Sequence, residues 1–216
     1  MIRNICGCEE AGRGPLIGPL VMVGLVVRKE KEKNLINIGV KDSKQLTPLQ
    51  RERMYDQILE IAEKHKIIIL EPKDIDNTLN TEGTNLNWLE ADTSALIVNE
   101  LQPDEVILDC PSTNTEAYHD YFLKKLNNKI PVLCAHHADE NFPIVSAASI
   151  IAKVTRDAEI RKIQQKYNID FGSGYPSDPK TIQFLKENYD KYPEIFRKTW
   201  STYKNVIKEK TQTKLI

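Results

Sequence analysis

The 216-residue sequence has few of the features that mark membrane, secreted or zinc-binding proteins. No apolar run approaches the length of a membrane span, and the chain starts in a strand-like run that lacks the basic region and cleavage site of a signal peptide. The four cysteines lack CxxC spacing and lie in or beside apolar runs, which favours buried free thiols over a zinc site. We therefore expect a cytoplasmic monomer without a membrane partner.

Internal repeats, low-complexity tracts and long linkers are also missing, so one domain is expected. We expect a core over about residues 1–165 and a helical, substrate-binding extension over about 166–216. Residues 151–216 carry 14 Lys and Arg against 8 Asp and Glu, whereas residues 1–150 carry 16 against 23. A basic C-terminal third is suited to holding phosphates, although ordinary solvated helices have similar charge counts.

Short β-branched runs alternate with segments of helical periodicity, which predicts an α/β fold with a central sheet. The first two strands are close enough in sequence to pair as a hairpin, so we expect a mixed sheet. Strands are predicted over 2–8, 20–27, 67–70, 105–109 and 132–135. Helices are predicted from Thr47 to about His65, over 85–99, around 118–126, over 144–165 and in a final region that includes 196–203.

Carboxylates stand at or just past the ends of three predicted strands, at Glu9, Glu10, Asp109 and Asp139. Ligands of open α/β sheets bind beyond strand ends, and carboxylates that meet there repel one another unless cations lie between them. Two divalent ions about 4 Å apart would neutralise these carboxylates. The ions would also bind the attacking and the leaving oxygen when a phosphodiester is cleaved. Adjacent strand residues point to opposite faces, so Glu9 and Glu10 share a site only if the strand ends or twists there. A hairpin turn with two solvated glutamates is the alternative.

The stretch from Glu9 to Pro19, EEAGRGPLIGP, resembles the signature of type 2 ribonucleases H, the ribonuclease HII family. Further blocks are similar to that family in the same order, at 41–46, 85–87, 108–111, 138–157, 172–178 and 197–200, the last two resembling archaeal members. The blocks extend from residue 7 to residue 200. The resemblance implies a ribonuclease H-like mixed β-sheet flanked by helices, with a helical C-terminal extension.

The resemblance also implies an activity. Members of the family cleave the RNA strand of RNA–DNA hybrids and cut at single ribonucleotides embedded in duplex DNA, leaving a 3′-hydroxyl and a 5′-phosphate. A role in removing ribonucleotides during DNA replication and repair follows. Two Mg²⁺ or Mn²⁺ ions are expected on an Asp-Glu-Asp-Asp set, which falls on Glu9, Glu10, Asp109 and Asp139 of this sequence.

Glu9 departs from the family, which has aspartate at this position. The extra methylene moves the carboxylate by about 1.5 Å, and misplacements near 1 Å can cost about a hundredfold in rate. We expect a working but slowed enzyme with a preference for Mn²⁺. A hybrid-binding protein that has lost catalysis and a different two-metal phosphoryl transferase are the alternatives.

Substrate-binding residues are carried over from the matching blocks. Backbone groups of Gly12, Arg13 and Gly14 are expected to contact the ribose 2′-hydroxyl, together with the hydroxyl of Tyr175. Candidate phosphate or DNA-strand contacts are Ser43, Lys44, Ser149, Lys153, Arg156, Arg197 and Lys198. His136 and His137 are interpreted as packing or solvent-facing residues. The tail at 212–216 resembles the start of a sliding-clamp peptide but lacks its aromatic pair, so clamp binding is only weakly indicated.

Overall fold

The protein is described by a computed structural model that covers residues 3–40 and 46–213. The described residues form five β-strands and nine α-helices. The strands are β1 (Asn4–Ala11), β2 (Leu20–Arg28), β3 (Lys64–Leu70), β4 (Glu105–Asp109) and β5 (Val132–Ala135). The helices are α1 (Glu32–Asn37), α2 (Pro48–Ile61), α3 (Pro72–Leu79), α4 (Leu86–Leu101), α5 (Thr115–Lys125), α6 (Ala138–Asn141), α7 (Pro143–Tyr167), α8 (Pro179–Asn188) and α9 (Ser201–Thr213).

The sheet has the strand order β3-β2-β1-β4-β5. β1 pairs antiparallel with β2 as the predicted hairpin and parallel with β4, and β4 pairs parallel with β5. The predicted mixed α/β sheet is thus confirmed. Because β1, β4 and β5 run in the same direction, their carboxyl ends lie at one edge of the sheet, which is where an α/β fold places its ligands.

The chain divides into two compact units. The first consists of Met1–Ala11, Val21–Ile69 and Leu86–Thr155, and the second of Gly12–Leu20, Leu70–Asn85 and Arg156–Ile216. The second unit therefore includes two segments from the N-terminal half as well as the basic C-terminal third. No helix among the described residues is long and apolar enough to cross a membrane.

Each unit has its own apolar core. In the first, the β-branched residues of β1 and β2 pack with the alanine- and isoleucine-rich start of α7. Gly7 permits this packing, because a Cβ there would lie 2.6 Å from the Ile144 carbonyl oxygen. In the second, Leu16 and Ile17 pack with aromatic residues that include Phe171 and Phe196.

The structure corrects two helix predictions. Helix α2 ends at Ile61, not near His65, since the chain turns into β3 and Glu63 N donates to the Val26 carbonyl at 2.8 Å. Residues 196–200 are not helical: Phe196 forms an isolated antiparallel bridge with Ile17, and α9 starts only at Ser201. Helices α1, α3, α6 and α8 are absent from the sequence-based predictions.

Candidate active site

Glu9 and Asp109 lie at the ends of neighbouring parallel strands. The last pair between β1 and β4 is Cys8 with Leu108, so Glu9 and Asp109 are the next residues on the two strands. Glu9 is 8 % exposed and Asp109 is half-buried. Two carboxylates are therefore brought to one edge of the sheet, as the strand-end pattern predicts.

Asp139 is brought to the same edge by a hydrogen bond from the next helix. The Ala138 N–H, at the start of α6, donates to Asp109 Oδ1 at 2.6 Å, and Asp139 is the following residue. The side chain of Asp139 is almost fully buried, and its carbonyl oxygen accepts a hydrogen bond from the Ser146 hydroxyl. Asp109 thus orients the backbone that carries Asp139, which couples two of the predicted metal ligands.

Glu10 follows Glu9 on β1, where successive side chains alternate between the two faces of the sheet. The strand does not end at Glu10, so the two glutamates share a site only through a twist of β1 beyond Cys8, where its ladder with β4 stops. The strand extends through Ala11, which pairs with Val21, so both glutamates lie within the ladder with β2 although the ladder with β4 has ended. The pKa of the Tyr118 hydroxyl is raised, by burial first and by the negative charge of Glu10 second. The Glu10 carboxylate therefore lies near Tyr118 of α5.

The four carboxylates suit a hard divalent cation, since Mg²⁺ and similar ions prefer oxygen ligands. Three of the four lie on segments joined by the β1–β4 ladder and the Asp109–Ala138 hydrogen bond. Within residues 3–40 and 46–213, no three His, Cys, Asp or Glu side chains are grouped as a ready-made metal site. The oxygen donors of the four carboxylates fit the implied ions.

The two histidines before Asp139 have separate environments. His136 lies within 3.0 Å of the Thr115 hydroxyl through Nε2 and within 3.0 Å of the Cys110 carbonyl through Nδ1. His137 has a φ of 55° and its side chain is 71 % exposed, with Nδ1 3.2 Å from Glu140. Both histidines are exposed, which agrees with their interpretation as packing or solvent-facing residues.

In the second unit, Arg197 fixes the backbone of the GRG loop, defined here as residues 12–18. Its guanidinium donates from Nη2 to the Gly12 carbonyl at 2.6 Å, from Nη1 to that of Arg13 at 3.0 Å and from Nε to that of Gly18 at 3.0 Å. The Trp200 indole N–H donates to the Gly14 carbonyl at 3.2 Å, and the Arg197 guanidinium lies 4.9 Å from the Trp200 ring centroid. Four carbonyl groups of the loop are thus held by two side chains.

Burial distinguishes Arg197 from a surface phosphate contact. The residue is fully buried, and burial together with the neighbouring Arg156 charge lowers the pKa of its guanidinium to about 9. With a pKa of about 9 the guanidinium remains charged at neutral pH, and its N–H groups are accepted by three carbonyl oxygens. Its direct contacts are therefore with the loop itself.

Arg156 and Tyr175 lie beside the same loop. Gly12 has a φ of 91°, and a Cβ on it would lie 2.3 Å from Arg156 Nε, so both the conformation and the contact require glycine. The Arg156 side chain is 3 % exposed and its guanidinium lies 5.8 Å from the Tyr175 ring centroid. Burial lowers its pKa, and Nε and Nη2 have no hydrogen-bond partner among the described residues. Tyr175 is 38 % exposed and also lies against Gly14.

The remaining predicted residues fall in three places. Ser149 is buried and Lys153 half-buried on α7, within the first unit. Lys198 has an exposed side chain in the second unit. Ser43 and Lys44 lie outside the described residues.

Asp76 is a buried residue of the second unit that is absent from the predicted site. Its carboxylate accepts three hydrogen bonds from Lys198 and Thr199, next to Arg197. The only sequence signal is local: Pro72 and Asp74 are first-turn residues typical of a helix start, which would have indicated α3 but not the partners of Asp76.

Comparisons with known proteins show the family to which the chain belongs. The family model for Ribonuclease HII matches residues 6–203. The Ribonuclease HII of Pyrococcus furiosus is 46% identical over 208 residues, which cover 94% of this chain and 91% of that protein. The chain belongs to the ribonuclease HII family. The Ribonuclease HII of Methanococcus maripaludis strain C6 is 42% identical over 221 residues, covering 99% of this chain and 91% of that protein.

Solved structures of ribonucleases HII have the same fold. The ribonuclease H2 of Pyrococcus horikoshii OT3 superposes with a TM-score of 0.87 at 40% identity, covering 95% of this chain and 98% of that one. Ribonuclease HII from Archaeoglobus fulgidus, in a complex with PCNA, superposes with a TM-score of 0.83 at 35% identity, covering 94% and 96%. The predicted family and fold class are confirmed, and the chain is a ribonuclease H: a metal-dependent endonuclease that hydrolyses RNA in RNA–DNA hybrids.

Proposed function

We propose that this ribonuclease HII also cuts duplex DNA at single embedded ribonucleotides, leaving a 3′-hydroxyl and a 5′-phosphate, and so removes ribonucleotides during replication and repair. The observation that carries the proposal is the juxtaposition of Glu9 and Asp109 on neighbouring parallel strands, with Asp139 coupled to Asp109 through Ala138. A site of this kind needs no nucleophilic side chain, because the attacking group is water.

Glu9, Glu10, Asp109 and Asp139 would hold two Mg²⁺ or Mn²⁺ ions, which when bound supply an activated water and stabilise the leaving oxygen. The protein's part is to position those carboxylates. Asp109 accepts a hydrogen bond from Ala138 N, and the Ser146 hydroxyl donates one to the Asp139 carbonyl. These contacts orient Asp139 through its backbone, as outer hydrogen bonds commonly do around metal ligands.

Recognition of the ribose is assigned to the GRG loop and Tyr175. The carbonyls of Gly12, Arg13 and Gly14 are engaged by Arg197 and Trp200, which fixes the loop backbone in one conformation. Backbone groups held in this way are suited to contact a 2′-hydroxyl, the group by which proteins distinguish RNA from DNA. Arg197 acts in substrate binding through the loop.

Phosphate contacts are assigned to the remaining carried-over residues. Lys153 and Ser149 would bind the strand near the carboxylates of the first unit, and Lys198 presents an exposed ammonium in the second. Arg156 is nearly as buried as Arg197, so its part in substrate binding is assigned, like that of Arg197, to its contact with the GRG loop at Gly12. Ser43 and Lys44 complete the set.

The test is cleavage of three labelled duplexes of one sequence: an RNA–DNA hybrid, a DNA duplex with one ribonucleotide, and an all-DNA duplex, each in Mg²⁺ and in Mn²⁺. Cutting of the first two, with a 3′-hydroxyl product and a faster rate in Mn²⁺, is expected. Asp109→Asn should abolish cleavage, whereas Asp120→Asn, an exposed acidic residue of the same unit, should not. Preferred cleavage of all-DNA duplex would contradict the proposal.

One outcome distinguishes the active enzyme from the alternative, a hybrid-binding protein that has lost catalysis through Glu9. If the wild-type protein binds the ribonucleotide duplex but cuts it under neither ion, Glu9 has cost the protein this activity. The observation that favours this alternative is the additional methylene of Glu9 within a nearly buried position, which leaves little room for compensation.

A sliding clamp is proposed as a weak partner. Support comes from the Archaeoglobus fulgidus ribonuclease HII, whose structure is a complex with PCNA, and from Gln212 at the start of the clamp-like tail. Since the tail lacks an aromatic pair, we expect weak binding that is lost on removal of residues 212–216. Calorimetric titration of the full chain and of the truncated chain with an archaeal PCNA measures the two affinities. An unchanged affinity of the truncated chain would contradict the proposal.

A further inference from the structure

Asp76 is a buried carboxylate whose three hydrogen bonds all go to one short segment. It is 9 % exposed on α3. Oδ2 accepts from Lys198 N at 2.8 Å, and Oδ1 accepts from Thr199 N at 2.9 Å and from the Thr199 hydroxyl at 2.6 Å. Hydrogen bonds to an ionised acceptor are about twice as strong as neutral ones, so Asp76 fixes the backbone at Lys198 and Thr199.

The segment that Asp76 fixes carries the two side chains that hold the GRG loop. Arg197 precedes Lys198 and binds the carbonyls of Gly12, Arg13 and Gly18, and Trp200 follows Thr199 and binds that of Gly14. The other end of the segment is joined to the loop by Arg197 N, which donates to the Leu16 carbonyl at 2.9 Å. The two residues bound by Asp76, Lys198 and Thr199, are therefore the sequence neighbours of the two residues that hold the loop.

We propose that Asp76 is a positioning residue for ribose recognition, acting through Arg197 and Trp200 on the GRG loop. This inference rests on the proposed role of that loop in contacting the 2′-hydroxyl. Asp76 does not touch substrate. It restrains the segment from which both side chains project, because residues 196–200 have no helical or strand hydrogen-bonding pattern of their own beyond the single bridge at Phe196.

A positioning role differs from a general structural role in what its loss changes. If Asp76 only stabilised the fold, its removal would lower the affinity for every duplex together. If it positions the GRG loop, its removal lowers the preference for a ribonucleotide and leaves the affinity for all-DNA duplex unchanged, since the exposed cations such as Lys198 remain.

The experiment measures dissociation constants by fluorescence anisotropy, in Ca²⁺, for a DNA duplex with one ribonucleotide and for the all-DNA duplex of the same sequence. The variants are Asp76→Ala, Asp76→Asn and Thr199→Val. Asp76→Ala removes all three hydrogen bonds, Asp76→Asn replaces the charged acceptor by a neutral amide, and Thr199→Val removes only the bond from the Thr199 hydroxyl. The matched control is Asp190→Asn, which removes an exposed negative charge from the same unit. Thermal melting of each variant checks that it is folded.

We expect Asp76→Ala to lower the ribonucleotide preference about tenfold while the all-DNA dissociation constant stays within about twofold. Asp76→Asn and Thr199→Val should show smaller losses, about threefold, and Asp190→Asn none. If Asp76→Ala does not fold, Thr199→Val decides the question. An unchanged ribonucleotide preference in the folded variants, or an equal loss of affinity for both duplexes, overturns the role of Asp76 but leaves the proposed function of the loop standing. A wild-type protein without ribonucleotide preference overturns the proposed loop function, and this inference with it.

Discussion

Arg197 is the side chain on which the conformation of the GRG loop depends most directly. Replacing it with methionine leaves one buried and two half-buried carbonyl groups without their donor, since Gly18, Gly12 and Arg13 lose the guanidinium together. We expect Arg197→Met to lower the free energy of unfolding by about 3 kcal/mol, measured by urea denaturation.

A lysine at position 197 should rescue little, because one ammonium group does not reproduce the planar fork that reaches three carbonyls. The neighbouring Lys198→Met is the matched control, since its side chain is exposed, and it should change stability by less than about 0.5 kcal/mol. Equal effects of Arg197→Met and Lys198→Met would contradict the assigned role of Arg197.

Glu9 is the residue at which the chain departs from the family pattern. We expect Glu9→Asp to raise the single-turnover cleavage rate in Mg²⁺ by about tenfold or more, because the shorter side chain returns the carboxylate by about one bond length. The gain should be smaller in Mn²⁺, since Mg²⁺ requires near-ideal octahedral geometry.

The comparison for Glu9 is Glu10→Asp, which shortens the adjacent carboxylate and should slow cleavage. The two substitutions change the same chemical group by the same length, so only the positions differ. A Glu9→Asp enzyme that is no faster than wild type would show that Glu9 is already well placed.

The segment that carries Tyr175 is joined to α8 by Asp178, the N-cap of that helix. Its carboxylate accepts from Ser173 N at 2.7 Å and from Lys180 N at 2.9 Å. Chiefly because of the bond from Ser173, the pKa of Asp178 is lowered from 3.8 to about 2. A lowered carboxyl pKa stabilises the folded state fully above pH 3.8, and that contribution is lost as the pH falls through about 2.

Asp178→Asn therefore gives a pH-dependent prediction. The variant should be less stable than wild type at about pH 5, and the difference in unfolding free energy should shrink as the pH is lowered to about 2. Urea denaturation across that range measures the difference, and hydrogen exchange at the Ser173 and Lys180 amides localises it. A difference that does not depend on pH would show that the Asp178 charge is not what holds the segment.

The contact of β1 with α7 is set by Gly7. An alanine Cβ at this position would lie 2.6 Å from the Ile144 carbonyl oxygen and 2.8 Å from Val145 N, both backbone atoms that cannot rotate away. We expect Gly7→Ala to cost about 1–3 kcal/mol of stability, measured by thermal or urea unfolding. Gly14→Ala is the control, since its nearest new contact is an ordinary 3.5 Å to the Tyr175 ring, and it should leave stability nearly unchanged.

Elements with strong local patterns are predictable from this sequence. Strands β4 and β5 have the predicted bounds, since each is a short apolar run flanked by polar or turn residues. The segment 196–200 is not, because its aromatic and basic residues, which suggest a helix, are used to bind a loop about 180 positions earlier in the chain. Contacts between distant segments override local propensity here.

At the scale of the whole molecule, the sequence predicts the candidate residues that have a local signal and misses those whose role depends on contacts between distant segments. Glu9, Asp109 and Asp139 are found from strand ends and family motifs because each is a local feature. Asp76 and the burial of Arg197 are not, since both depend on which distant backbone groups fold against them. The division into two units likewise depends on long-range contacts, and places residues 12–20 and 70–85 with the C-terminal third.

The account as a whole requires that carboxylates from three parts of the chain bind a common pair of cations. Crystals soaked in Mn²⁺, with anomalous diffraction measured at the manganese edge, locate those ions without reference to activity. We expect two anomalous peaks, each within about 2.5 Å of oxygens from Glu9, Glu10, Asp109 or Asp139, and the loss of both in Asp109→Asn. Peaks absent from these residues, or present only elsewhere on the protein, would contradict the account.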